Sequence, residues 1–76
     1  MSSLLPGSRS GVLRRVTPFD LHGERYYHLL YTFDDAPDRA AEARVAHDAI
    51  HADPQPGDRV TIHAVMGVVT RIERLP

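Results

Sequence analysis

The chain has 76 residues, 42% of them apolar, with no cysteine and a formal charge of −1 that sets nine arginines against ten acidic residues. This length is that of one small domain, and the lack of cysteine excludes disulfides, thiolate metal sites and a cysteine nucleophile. The balanced charge argues against a free-standing nucleic-acid binder. Because so small a core gains stability from a shared face, we expect a homodimer.

Residues 1–10 contain all four serines and a Pro-Gly pair without apolar periodicity, which indicates a flexible leader. They have neither the early basic residues of a signal peptide nor the apolar length of a membrane span. We therefore expect a cytoplasmic protein that contacts no membrane, with residues 11–76 as its single folded domain.

The first hairpin is predicted from two strand patterns and the turn between them. Residues 11–17 form the first strand candidate, although their apolar residues do not alternate cleanly, and Pro18 ends or bends it. Gly23 marks a turn that needs a positive φ, and residues 24–33 follow as the strongest strand pattern in the chain.

The second strand of this hairpin has two partly apolar faces, as expected of a central strand or a barrel wall. Its odd-numbered positions share one face: Tyr27, Leu29, Tyr31 and Phe33. Its even-numbered positions share the other: Tyr26, His28, Leu30 and Thr32.

A second hairpin is predicted near the C-terminus. Pro56 and Gly57 have the dihedral preferences of a type II turn, and strand patterns follow over residues 59–65 and 68–75, joined at Gly67. The last strand is expected to align three side chains on one face: Val68, Thr70 and Ile72.

The middle of the chain, residues 34–53, fits two structures. A helix at about 36–52 would have an alanine-rich apolar stripe and give a ββαββ fold of the α+β class. Alternatively, residues 34–38 turn, residues 42–47 form a third strand that pairs with residues 24–33, and a short helical turn follows. An alanine surface covers four strands poorly, so we favour the second structure.

That preferred structure is mainly β, with five antiparallel strands in a small barrel. The strand count and the Pro-Gly-Asp turn before the last hairpin make it similar in architecture to SH3-like and OB-like barrels. The likeness carries no family motif, so it transfers no functional residues.

The sequence contains no catalytic constellation. All serines lie in the predicted leader, the threonines fit strand positions, and no glycine-rich phosphate loop is present. His47 and His51 have a spacing that suits one helix face, but a metal site needs a third ligand that the sequence does not identify. We expect no enzyme activity, no metal, no cofactor and no small-molecule substrate.

One predicted surface combines cationic and aromatic side chains that suit binding. It is formed by residues of the first hairpin: Arg14, Arg15, Arg25, Tyr26, His28 and Leu30. Tyrosine and arginine are enriched at the centres of protein interfaces, so we expect a protein-interaction accessory or adaptor. The same groups could stack bases and neutralise phosphates, which makes binding of RNA or single-stranded DNA the alternative. A solvated strand face without any ligand would also account for them.

Overall fold

The computed structural model describes residues 7–76, which form one sheet of five antiparallel strands. The strands are β1 (Gly7–Leu21), β2 (Glu24–Phe33), β3 (Ala36–Ala46), β4 (Arg59–Val65) and β5 (Val68–Arg74). Their order in the sheet is β3-β2-β1-β4-β5. The prediction of a mainly β fold with five antiparallel strands is confirmed. Within residues 7–76 no helix has the length and apolarity that crossing a membrane requires.

Strand β1 is the longest and pairs with two neighbours. Its first part pairs with β4, from Gly7 opposite Ala64 to Val12 opposite Arg59, and from Gly11 onward it also pairs with β2. The prediction of a flexible leader over residues 1–10 is therefore wrong for residues 7–10, because the ladder with β4 orders their backbone. Residues 1–6 lie outside the described part of the chain.

Of the two predicted effects of Pro18, ending or bending β1, the first is wrong, since pairing with β2 continues to Leu21. Pro18 lies opposite Tyr27, in the half of β1 that β4 does not accompany. That half has β2 on one side only, and a strand with a free side tolerates a residue that lacks an N–H group.

A β-bulge at Arg14 explains the irregular apolar pattern of β1. Pairing with β2 passes from Leu13 opposite Tyr31 directly to Arg15 opposite Leu30, so β1 contains one extra residue. Leu13 and Val16, three positions apart, can consequently both contact the core. The bulge leaves Arg14 and Arg15 exposed.

The alternative prediction, a helix at about 36–52, is wrong, because strand β3 occupies the first part of this range. The strand covers Ala36–Ala46, six residues more at its start than predicted, and only a single turn of 3-10 helix follows at His47–Ala49. Pairing with β2 supplies the backbone hydrogen bonds, and Val45 is buried in the core. Tertiary pairing thus overrides the helix propensity of the alanines.

The two hairpin turns follow the predicted chemistry. His22 and Gly23 have φ of 53° and 80°, and Met66 and Gly67 have φ of 53° and 80°. Positive φ at both central residues suits the right-handed twist of the flanking strands. Gly57, at φ 94°, provides the reversal before β4 as predicted.

The last strand differs from its predicted alignment. The pairing of β4 with β5 shifts register between His63 and Ala64, where Thr70 is the extra residue of β5. Val69 therefore packs against the core together with the buried Ile72, whereas Val68 is 64% exposed. The bulge breaks the simple alternation on which the prediction relied.

The sheet curves around a core to which every strand contributes. Eight apolar residues are buried in it: Leu13, Leu29, Tyr31, Val45, Ile50, Val60, Ile62 and Ile72. β3 and β5 are the two ends of the sheet, and no ladder joins them in the described residues. Only one parallel bridge, from Ile50 just after β3 to Ile72 in β5, connects the two ends, so the sheet is open rather than closed.

Candidate binding surface

The surface of β1, β2 and β3 that faces away from the core carries most of the predicted binding residues. Strand pairing places its side chains in three rows: Arg15–Leu30–Glu42, Thr17–His28–Arg44 and Phe19–Tyr26–Ala46. We call these nine residues, together with Arg14, the outer face. Side chains in neighbouring rows lie two residues apart along each strand, so the rows form a continuous surface.

Five of the six predicted residues meet on the outer face. Tyr26, His28 and Leu30 alternate along β2 with the buried Leu29, as the sequence pattern predicts. Arg14 and Arg15 reach the same side because of the bulge, and the Arg14 Nε donates to the Thr32 Oγ1 at 3.0 Å.

Arg25 is not part of the outer face, contrary to the prediction. It lies beside Tyr26 in an extended strand, and adjacent side chains in a strand point to opposite sides. Its Nε donates to the Asp20 Oδ1 at 2.7 Å, and this hydrogen bond raises the pKa of the guanidinium. Arg25 is therefore occupied by an exposed ion pair at the tip of the first hairpin.

An aromatic pair forms one end of the outer face. The rings of Phe19 and Tyr26 are stacked, with centroids 5.6 Å apart and an angle of 20° between the ring planes. Phe19 was not predicted as part of this surface, although a two-residue turn at His22-Gly23 would have placed it opposite Tyr26. Both residues are half-buried, so the pair provides apolar area that remains accessible from one side.

Three arginines give the outer face a local positive charge. In residues 7–76, four other arginines have a carboxylate within 4 Å: Arg9, Arg25, Arg59 and Arg71. No such pair is found in this part of the chain for the three on the outer face, Arg14, Arg15 and Arg44. The one acidic residue in the rows, Glu42, lies 3.1 Å from the His28 Nε2.

Arg44 was not predicted either, because no residue of the third strand was assigned to the binding surface. In the structure Arg44 lies opposite His28 in the middle row. Its position follows from the register of β3 on β2, which no short sequence pattern specifies.

A second polar cluster lies in the loop before β4. His51 Nε2 donates to the Asp58 Oδ2 at 2.9 Å, and the same oxygen accepts the backbone N–H of Gln55 at 2.9 Å. The turn formed by these residues is also tied to β1, since the Gly57 N–H donates to the Leu13 carbonyl at 2.7 Å. Among residues 7–76 no group of three acidic or histidine side chains could hold a metal ion.

Asp58→Asn is expected to reduce the dependence of stability on acidic pH. The hydrogen bond from His51, followed by that from Gln55, holds the pKa of the Asp58 carboxyl below its usual value. Because the folded pKa is lower than the unfolded one, about 3.9, the stabilisation is complete above that pH and is lost as pH falls through the folded pKa. Urea denaturation between about pH 7 and pH 3 measures this loss.

The control for this prediction is Asp38→Asn, which makes the same change from carboxyl to amide in an exposed part of β3. At neutral pH the free energy of unfolding of the Asp58 variant should fall by about 1.5–3 kcal/mol, the contribution of a hydrogen bond to a charged group. An acid-induced loss of stability that is as steep in the Asp58 variant as in the parent would contradict the role given to this carboxylate.

No protein-family model, curated protein or solved structure matches the chain. The outer face combines apolar area, from an aromatic pair and Leu30, with guanidinium groups that have no carboxylate partner among residues 7–76. Guanidinium groups form paired hydrogen bonds with carboxylates or phosphates. The outer face can therefore hold an acidic or amphipathic partner by apolar contact and by charge.

Proposed function

We propose that the protein is a non-enzymatic protein-interaction module, an accessory or adaptor that works in the cytoplasm and binds its partner through the outer face. The observation that carries this proposal is the stacked Phe19–Tyr26 pair with three arginines on the same surface that have no carboxylate partner among residues 7–76. Interface centres are enriched in aromatic residues and arginine. A partner that brings carboxylates and an apolar side chain matches both parts of the face.

The curved sheet, in our proposal, acts as a small barrel of the SH3-like or OB-like kind. The bridge between Ile50 and Ile72 supports this by bringing the two ends of the sheet together at one point. A barrel wall would hold the rows of the outer face in fixed positions, which lowers the entropy lost when a partner binds.

Binding of RNA or single-stranded DNA through the same residues is the second candidate function. The unpaired Arg14, Arg15 and Arg44 favour it, since guanidinium groups bind phosphates well. Two features favour a protein instead. Glu42 lies among these cations, and Phe19 and Tyr26 cover one face of each other, which reduces the ring area available for stacking bases.

The proposed function predicts that Tyr26→Ala and Arg15→Glu each reduce capture of a protein partner by at least about tenfold, the effect of losing one interface hot spot. The measurement is a pull-down from a lysate of the encoding organism, followed by titration of the captured protein. Arg25→Gln is the matched control, because Arg25 lies on the opposite side of β2 and should leave capture unchanged.

Three results from the same protein samples decide the test. Equal capture by the Tyr26→Ala protein and the parent would contradict the proposal. An affinity for RNA that falls about 20–40-fold between 50 and 200 mM salt, as three phosphate contacts require, would instead support the second candidate. Self-association stays a prediction, which light scattering tests. A measured mass equal to that of a single chain would contradict it.

A further inference from the structure

A cleft of about 500 Å³ lies between the start of β1, the end of β2 and the hairpin of β4 and β5. Its walls are mostly apolar: Tyr31, Phe33, Ile62, Ala64, Met66 and Val69. No residue of the outer face lines it, so the cleft is a separate feature of the molecule. Its volume falls within the range of small-molecule binding sites.

Tyr31 brings a polar group to this apolar cleft. The residue is only 4% exposed, and its side chain lines the cleft. Burial raises the pKa of the hydroxyl, although the nearby Arg9 opposes this effect, so the group stays protonated and can donate. A hydroxyl that lines a cleft is available to donate a hydrogen bond to a ligand oxygen there.

Arg9 holds a positive charge at the rim of the same cleft. Its guanidinium carbon lies 3.6 Å from the centroid of the Phe33 ring, and one terminal nitrogen donates to the Asp35 Oδ1 at 2.7 Å. A guanidinium has five N–H donors in a fixed plane. The contact with the ring keeps this plane in place and leaves further donors for a second acceptor.

We propose that the cleft binds a small carboxylic acid with an apolar tail. The carboxylate accepts hydrogen bonds from the Tyr31 hydroxyl and the Arg9 guanidinium, and the tail lies against Ile62, Met66 and Val69. The remaining guanidinium donors of Arg9 fit the carboxylate head group, and the apolar walls fit the tail. This site is independent of the function proposed for the outer face.

The test is a titration of the methyl-labelled 76-residue protein with sodium octanoate, followed by NMR. We expect saturable shifts of the methyl groups in the cleft, with a Kd of about 0.1–1 mM for a ligand of this size. Octanol, which has the same tail without the charge, should bind at least about tenfold more weakly.

Two variants test the head group, each with a matched control. Tyr31→Phe removes only the hydroxyl and should weaken octanoate about tenfold, whereas Tyr27→Phe should not, since Tyr27 does not line the cleft. Arg9→Gln should weaken it by a similar factor, whereas Arg71→Gln, at an exposed arginine of β5, should not.

Four outcomes of these titrations would overturn the proposal. They are the absence of saturable shifts, equal binding of octanol and octanoate, unchanged binding by the Tyr31→Phe protein, and shifts that spread beyond the cleft. Cleft resonances that move when the protein alone is diluted would show a second copy in the cleft and would overturn it as well.

Discussion

Gly11→Ala is expected to lower the free energy of unfolding by about 3 kcal/mol, at the upper end of the usual cost of overpacking. A Cβ atom at this position would lie 2.4 Å from the backbone carbonyl oxygen of Thr32 and 3.4 Å from the Ile62 Cδ1. The first of these atoms belongs to β2 and cannot move aside without disturbing the ladder. For a domain of this size the midpoint of thermal unfolding should fall by roughly 12–24 °C.

The matched control is Gly7→Ala in the same strand, because no atom of the described residues lies within 4 Å of the Cβ that it would add. Its stability should equal that of the parent or slightly exceed it, since alanine restricts the unfolded chain more than glycine does. Urea denaturation of the three proteins gives the comparison. If Gly11→Ala proved as stable as Gly7→Ala, the close approach of β1 and β2 would be wrong.

Leu29→Ala is expected to lower the free energy of unfolding by a similar amount, about 3–4 kcal/mol. Leu29 has no exposed surface and lies in β2, between β1 and β3. Truncating it removes buried apolar area and leaves a cavity that the surrounding strands cannot fill completely. The free energy of unfolding of a small domain is only about 5–15 kcal/mol. This single change should therefore leave a protein that unfolds at low urea concentration.

Leu21→Ala makes the same chemical change at a site that is 47% exposed, at the tip of the first hairpin. Its cost should stay within about 1 kcal/mol, since little buried area is lost and no cavity forms. If both leucine variants lost the same free energy of unfolding, Leu29 would not be enclosed by the sheet.

The turns could be predicted from the sequence because their causes are local. Gly23 and Gly57 stand where a positive φ is required, and the structure places them at 80° and 94°. Strand β2 also has the predicted alternation of faces, which needs only the period of an extended chain.

The bulges could not be predicted in this way. An extra residue at Arg14 or Thr70 is defined by the pairing of two strands, so it depends on a partner that lies elsewhere in the chain. The alanine-rich β3 is a similar case, since its local propensity favours a helix and only pairing with β2 makes it a strand.

The candidate surface was predicted in part for the same reasons. Tyr26 and His28 follow from the alternation of one strand, whereas Arg25 was assigned to their side against that alternation. Phe19 and Arg44 join them only through the registers of β1 and β3 on β2. A surface built across strands is therefore less predictable than the strand at its centre.

Strand β1 links the two hairpins, and this arrangement determines the order in which the chain can fold. The β1–β2 and β4–β5 pairs each close over a two-residue turn, so they can form early and independently. Joining them requires Gly7 to pair with Ala64, and these two residues are far apart in the chain. Because the entropy of closing so long a loop must be lost before these contacts stabilise the sheet, we expect this step to limit the folding rate and to place it in the millisecond-to-second range.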